Sequence, residues 1–456
     1  MKKLIPLLIL LSFIHPVIAQ DTKTQDLESQ ESQESQESIA QDLVETFQLA
    51  LENDPILKQF YYNQFSVAEN RSQSIAQMLP TISVSGQSSR DRLNNKKANF
   101  QSQGTQNYWS NTFSIDFTQP VFHWDHWVEL SLSDNLIAQS EAEYQAELQS
   151  LIVQTTEAYF NVLASQDNLE FTVSEKKAIA RQLEQATQRF DVGLIAITDV
   201  YEAKAAFDQS RAAQIEAENL VDNRKEDLRK IIGENDANLA ILAEEISYSP
   251  PVPNDITEWT NIADTNNLDV VAALNQAEVS RKNIQIQQSG HMPTLDIVAN
   301  YGVSDVSSTF GLRGDTQSVG LQLNIPIFEG GAVNSRSRQA GFDYQVSKEN
   351  LIDTKREVTR QLKNSFRNVI STMNRAEALK AAVTSAISSL EATEAGFDVG
   401  TRTMVDVLAE QRNLYEAKRN HAKSRYDYLV SGVQLKQAAS SLTEQDLSLI
   451  NQFLVK

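Results

Sequence analysis

The chain contains no cysteine, and only five histidines, ten prolines and fifteen glycines in 456 residues. Without thiols it has no disulfide, thiolate zinc site, iron–sulfur cluster, cysteine nucleophile or lipid anchor on an N-terminal Cys. So few histidines leave little for metal or acid–base chemistry, and there is no phosphate-binding Gly-Lys loop and no nucleophile elbow. Positive charge is also short: 40 basic against 60 acidic side chains give a formal charge of −20. A protein that coats nucleic acid needs a basic face, so that class is excluded. The composition points away from an enzyme and implies no cofactor. Apolar runs are short as well. Leu4 to Ile14, broken by Pro6 and Ser12, falls well below the roughly 20 residues of a membrane helix. It follows Lys2 and Lys3 and precedes Val17-Ile18-Ala19, which reads as a cleavable secretory signal over 1–19. Losing Lys2 and Lys3 with that leader takes the formal charge from −20 to −22. The protein is expected to be exported, with any membrane contact made by strands.

Residues 20–39 form an acidic Glu-Ser-Gln spacer with almost nothing to bury, expected to be disordered. Beyond it, the helix breakers are uneven. Between Phe122 and Ile232 there is no Pro and one Gly, Gly193; after Gly331 there is no Pro, and only Gly341, Gly396, Gly400 and Gly432. Val128 to Phe190 and Val333 to Phe397 are rich in good helix formers. Leu148, Leu151, Ile152, Tyr159, Val162 and Leu163 recur at spacings of three, four and seven. Helices of roughly 65 residues would run about 100 Å, which implies coiled coil.

Where prolines cluster, the period changes to two. Trp109, Phe113, Ile115 and Phe117 alternate with Ser110, Thr112, Ser114, Asp116 and Thr118 ahead of Pro120. Leu295, Ile297 and Tyr301 alternate with Asp296 and Asn300, and Val319, Leu321, Leu323 and Ile325 with polar residues and Gly320. One apolar and one polar face, in an exported protein, suits a barrel with lipid outside and water inside; a sheet on a soluble core is the alternative, with no obvious core to cover. The chain also reads as a duplication. Arg189-Phe190-Asp191-Val192-Gly193 returns as Gly396-Phe397-Asp398-Val399-Gly400, and Asp199-Val200 as Asp406-Val407. Pro80 and Pro293 are further apart than Pro120 and Pro326, which places seven extra residues in the first inter-strand loop. The expected plan is repeat 1 over 40–233, a connector over 234–257, repeat 2 over 258–442 and a tail over 443–456. Strands are expected near 80–90, 108–119, 293–303 and 316–326. Each half reads helix, strand, loop, strand, long helix, turn, helix.

On these residues the chain resembles the outer-membrane efflux proteins of the TolC type, over essentially all of it after the acidic spacer. The resemblance rests on the frame and on Thr156-Glu157-Ala158-Tyr159-Phe160-Asn161-Val162-Leu163, Arg181-Gln182-Leu183, Gln188-Arg189-Phe190 and Val192 to Val200. It continues through Val399-Gly400-Thr401-Arg402-Thr403, Val405-Asp406-Val407-Leu408 and Thr443-Glu444-Gln445-Asp446-Leu447. It implies a mixed α/β membrane protein: a homotrimer whose protomers give four strands each to one twelve-stranded β-barrel, continued by a helical coiled-coil tunnel. The localisation implied is the cell outer membrane of a Gram-negative bacterium, with the tunnel in the periplasm. Such channels export drugs, other small molecules or secreted proteins. Their partners are a periplasmic adaptor protein and an inner-membrane efflux pump or ABC transporter.

The resemblance also implies roles for single residues. Thr198 and Asp199, with Arg402 on the opposite turn, match a gating latch. Phe397 stands where the pattern has a tyrosine, so one hydrogen bond of that latch is lost. Gln182 and Glu394 match a polar link between protomers. Asp406 matches an acidic ring at the aperture, Ala409 leaves a second ring position empty, and Glu410 is adjacent. Gly193, Leu194, Gly400 and Thr401 match adaptor-docking turns. Without the resemblance, these residues read as helix caps, helix-ending glycines and solvated charges. His123-Trp124-Asp125-His126-Trp127 is the one cluster resembling a metal site; its place after a strand favours an interfacial aromatic belt over zinc, so no metal is expected. A passive porin is disfavoured by the long helices and a coiled-coil surface fibre by the paired amphipathic strands.

Overall fold

The computed structural model describes residues 40–95, 104–235, 238–308, 311 and 313–455. The expected leader and spacer, 1–19 and 20–39, lie outside the described residues.

Each half opens with two helices rather than one. In the first, α1 (Leu43–Asn53) gives way to α2 (Pro55–Ala76), because Pro55 is at home in a first turn and Asp54 caps it, accepting from the Leu57 N–H at 2.6 Å. Then come β1 (Thr81–Asn95), β2 (Gly104–Phe122), α3 (Trp124–Asp191) and α4 (Ile197–Ile232). A two-residue strand, β3 (Ile241–Leu242), lies in the connector. The second half follows the same order: α5 (Ile256–Asn266), α6 (Leu268–Ser289), β4 (Thr294–Val306), β5 (Arg313–Asn324), α7 (Ala332–Asp398) and α8 (Met404–Ala438). Here Asn267 makes the break, its Oδ1 accepting from the Asp269 and Val270 N–H groups. The chain closes with α9 (Glu444–Asn451) and β6 (Leu454–Val455), which pairs antiparallel with β3.

The four long strands form one antiparallel sheet in the order β1-β2-β4-β5, leaving β1 and β5 as open edges. Every strand runs further toward its hairpin loop than the alternation of apolar residues indicates. Backbone pairing does not need an apolar face, so Ser88 to Asn95 pair with Gly104 to Asn111 as regularly as the apolar residues below them. This relocates the seven extra residues of the first hairpin. Pairing reaches Asn95↔Gly104 in the first hairpin and Asp305↔Arg313 in the second, so six of the seven lie in paired strand and one in the tip. Between Pro120 and Phe122 the β2–β4 register shifts, where proline offers no N–H to the ladder.

Register aligns the faces across all four strands. Ile82, Phe117, Ala299 and Val319 stand in one row, and Val84, Ile115 and Tyr301 in the next. Most of this apolar face is open: Ile82 is 70% exposed, Val84 64%, Val319 83% and Leu321 72%. The opposite face is a polar lattice in which Asn300 donates to Asp116 at 2.6 Å, Ser114 donates to Asp116 at 2.8 Å and the Ser85 and Ser114 hydroxyls meet at 2.8 Å. An exposed apolar face on a sheet whose other face is hydrated inverts the arrangement of a water-soluble sheet.

The helices pack by heptads. In α7 the buried Leu362, Val369 and Ala376 are seven apart; in α4 Ala203, Ser210 and Ala217 are, as are Ile179 and Ala186 in α3. The alanines and Ser210 among them let the paired helices approach closely, and a strict seven-residue repeat winds them around each other. The main core lies where α1, the middle of α3, and the ends of α4 and α8 meet. Tyr159 is its fully buried centre, its hydroxyl donating to the Ala240 carbonyl at 2.8 Å. Among the described residues, no helix is long and apolar enough to cross a membrane.

Candidate functional site

The two turns that reverse the long helices are built alike. After α3, Gly193 N–H bonds the Phe190 carbonyl at 2.8 Å and Leu194 N–H reaches back to Arg189 at 2.8 Å; after α7, Gly400 bonds Phe397 at 3.1 Å and Thr401 reaches Gly396 at 2.8 Å. This paired bonding ends a helix through one left-handed residue, and Gly193 and Gly400 supply it at φ +78° and +80°. A Cβ at either glycine would meet no atom, so a substitution is penalised by the backbone alone, by about 1–2 kcal/mol. Around the turns Val192, Leu194 and Val399 are more than two-thirds exposed, at 70%, 74% and 76%.

Below the turns, Ile179 and Ala186 of α3, Ala203 of α4 and Met404 and Leu408 of α8 form a small core, with Phe397 packed against it. Phe397 has no hydroxyl to offer, and its ring instead carries the Arg189 guanidinium, 5.0 Å from the centroid. Arg189 also donates to Asp398 at 2.7 Å, which ties the first turn to the second. In the sequence Arg189 stands only as the first residue of the repeated turn segment, with no role attached to it. The available signal was the mismatch between the halves, since Gly396 occupies the equivalent place in the second turn. That glycine has its own reason: a Cβ there would come within 2.7 Å of Arg402 Cγ, so the Arg402 stem lies across it.

Arg402 is exposed, and among the described residues its guanidinium makes no hydrogen bond or ion pair. Thr198 is exposed and Asp199 half-buried, and within the chain Arg402 is not brought onto either side chain. Gln182 and Glu394 are half-buried and likewise not bonded to each other within the chain. Asp406 is engaged locally. Its carboxylate accepts from the Thr403 N–H at 2.9 Å and hydroxyl at 3.0 Å, while Thr403 Oγ1 accepts from the Asp406 N–H at 3.2 Å. This capping box starts α8, whereas α4 begins on Ala196 with no side-chain cap. Those two donors from Thr403 hold the Asp406 carboxyl below the usual carboxylate range. The contribution is therefore complete above about pH 4 and is lost as the pH falls from there through the depressed value. Thr403→Ala removes the cap and should lower the stability of the start of α8 by about 1 kcal/mol. Faster amide exchange confined to the first turn of α8 is the expected readout. Ala409 is exposed and Glu410 half-buried.

The family described as outer membrane efflux protein matches this chain over residues 46–234 and 259–441. The chain is 37% identical to the outer membrane protein TolC of Vibrio cholerae over 419 residues, covering 90% of this chain and 93% of that protein. It is 28% identical to the alkaline protease secretion protein AprF of Pseudomonas aeruginosa, covering 91% and 87%. Among solved structures, the Campylobacter jejuni CmeC outer membrane channel superposes with a TM-score of 0.77 over 90% of this chain and 89% of that one; at 15% identity it shares the fold. The uninterrupted helices of α3 and α7, the sheet with its apolar side bare and the two matched stretches agree: the chain belongs to the outer membrane efflux protein family.

Proposed function

We propose that three copies of this chain close one twelve-stranded barrel in the outer membrane, with α3, α4, α7 and α8 of each copy continuing it as a periplasmic tunnel. The assembly is an exit duct for efflux or type I secretion. The observation that carries this reading is the sheet, whose bare apolar face fits lipid and whose edges β1 and β5 are both open. Unpaired edges are not tolerated in hydrocarbon, and pairing β1 of one copy with β5 of the next removes them. The matching order of elements in the two halves supports an internal repeat. AprF, named for protease secretion, and TolC, named for the outer membrane, support export from the cell. Partners are a periplasmic adaptor, docking at Gly193, Leu194, Gly400 and Thr401, and an inner-membrane pump or ABC transporter. Native mass spectrometry in detergent should give a trimer, and planar bilayers its conductance; a monomer that conducts overturns the architecture.

The turns are the gate in this reading. Arg402, which makes no hydrogen bond or ion pair among the described residues, bonds Thr198 and Asp199 of a neighbouring copy, and Gln182 and Glu394 form a second link between copies. Gly396→Ala pushes the Arg402 stem aside without removing its charge. It should raise resting conductance in the direction that loss of Arg402 does, and by less. The three Asp406 carboxylates form the ring at the aperture. Asp406→Asn should abolish most of the block by trivalent cations, and Ala409→Asp should strengthen it. Channels of Asp406→Asn blocked as tightly as wild type would move the ring to Glu410.

A further inference from the structure

Away from the turns, where β2 runs into α3, a second cluster of side chains remains unused by this reading. One donor atom each from His123, Asp125 and His126 lies within 4.8 Å of the others. His123 Nδ1 stands 3.9 Å from Asp125 Oδ1. That is too long for a hydrogen bond. It suits two donors sharing one ion, which at about 2.1 Å each are at most about 4.2 Å apart. The other nitrogen of His123, Nε2, is 3.0 Å from Asp296 Oδ1 on β4. A carboxylate there keeps the proton on Nε2 and leaves the Nδ1 lone pair free, the outer-sphere arrangement of ligating histidines. His126 Nδ1 is buried with no hydrogen-bond partner. His123 itself occupies the N-cap of α3 without making a side-chain cap bond.

We propose that His123, Asp125 and His126 bind a divalent first-row transition ion of the zinc class, with Asp296 as the outer carboxylate. Two imidazoles with one carboxylate select such ions over calcium or magnesium, which prefer all-oxygen sites. Two carboxylates balance the charge of the ion and offset the positive end of the α3 dipole. The imidazole rings stack at 4.5 Å with an 11° interplanar angle, so as they stand their lone pairs lie in two parallel planes that one ion cannot share. Loading turns His126 about its broad χ2 torsion and gives its buried nitrogen the partner it lacks. The exposed Trp124 and Trp127 of the same turn keep their interfacial role, and the ion joins the start of α3 to β4 through the His123–Asp296 bond. The site is independent of the export reading.

Tag-free, full-length protein in detergent, stripped with chelator and then dialysed, is titrated with zinc chloride by calorimetry, with bound metal counted by plasma mass spectrometry. One zinc per chain is expected, with no heat from calcium. His126→Ala should lose tight binding, and Asp296→Asn should weaken it roughly 10- to 100-fold, both with unchanged oligomeric state. Absence of zinc binding in the wild type, or equal affinity in His126→Ala, overturns the site. Should His126→Ala fail to assemble, cobalt loaded into the wild type decides. Imidazole scattering in the cobalt-edge X-ray absorption fine structure supports the site, and oxygen scatterers alone overturn it.

Discussion

Leu321→Arg should stop the protein from assembling in the outer membrane. Leu321 lies on the apolar face of β5, opposite Ile297 and 72% exposed. Arginine on the lipid side costs about 2–4 kcal/mol at the bilayer midplane and less toward the interfaces, and the proposed trimer carries the change three times over. The neighbouring Gln322 lies on the polar face, opposite Asp296. Gln322→Arg should therefore assemble normally and alter only ion selectivity. Heat-modifiable migration of the membrane fraction reads both variants. An assembled Leu321→Arg beside a failed Gln322→Arg would reverse which face meets lipid.

Arg402→Ser should raise resting conductance, by shifting the opening equilibrium roughly a thousandfold. A charge-assisted hydrogen bond is worth about 1.5–3 kcal/mol when shielded from water. Three copies in the proposed trimer, at the low end, sum to about 4.5 kcal/mol if they open together, which is the basis of the thousandfold figure. The tie between Arg189 and Asp398 lies within one chain and is partly exposed, so Arg189→Ser should change conductance far less. Planar-bilayer recordings on the properly assembled protein compare the two. Unchanged conductance in Arg402→Ser removes the latch from the account.

The long helices were legible because their signal is an absence: α3 fills nearly the whole stretch free of Pro and Gly, and α7 a stretch free of Pro that holds only Gly341 and Gly396. The breaks at Asp54 and Asn267 were missed because a capped break removes no apolar residue from the pattern; only the Asp54-Pro55 pair was there to mark one of them. The true extent of the strands was hidden for a related reason. Alternation reports what a face touches, while Ser88 to Asn95 are held by backbone bonds that no side chain advertises. At the turns, Gly193 and Gly400 were readable from the repeated Val-Gly, since only a left-handed position demands that residue. Arg189 was not, because its partners Phe397 and Asp398 are more than two hundred residues away in the chain. Asp406 presented two readings in sequence, and its bonds to Thr403 give it a cap whatever else it does at an aperture.

The length of the first hairpin bears on where cargo is set free. Its apolar rows end at Arg90↔Trp109, yet pairing continues to Asn95↔Gly104. At about 3.4 Å per residue and a tilt near 40°, that stretch adds about 13 Å of height. With lipid against the apolar rows of the proposed barrel, this collar of polar strand, Arg92 among it, rises past the head groups like a chimney above a roof. A greasy molecule leaving the duct would then emerge into water clear of the leaflet. It would have to diffuse back through the head-group layer before it could dissolve in the membrane again, which makes expulsion harder to undo.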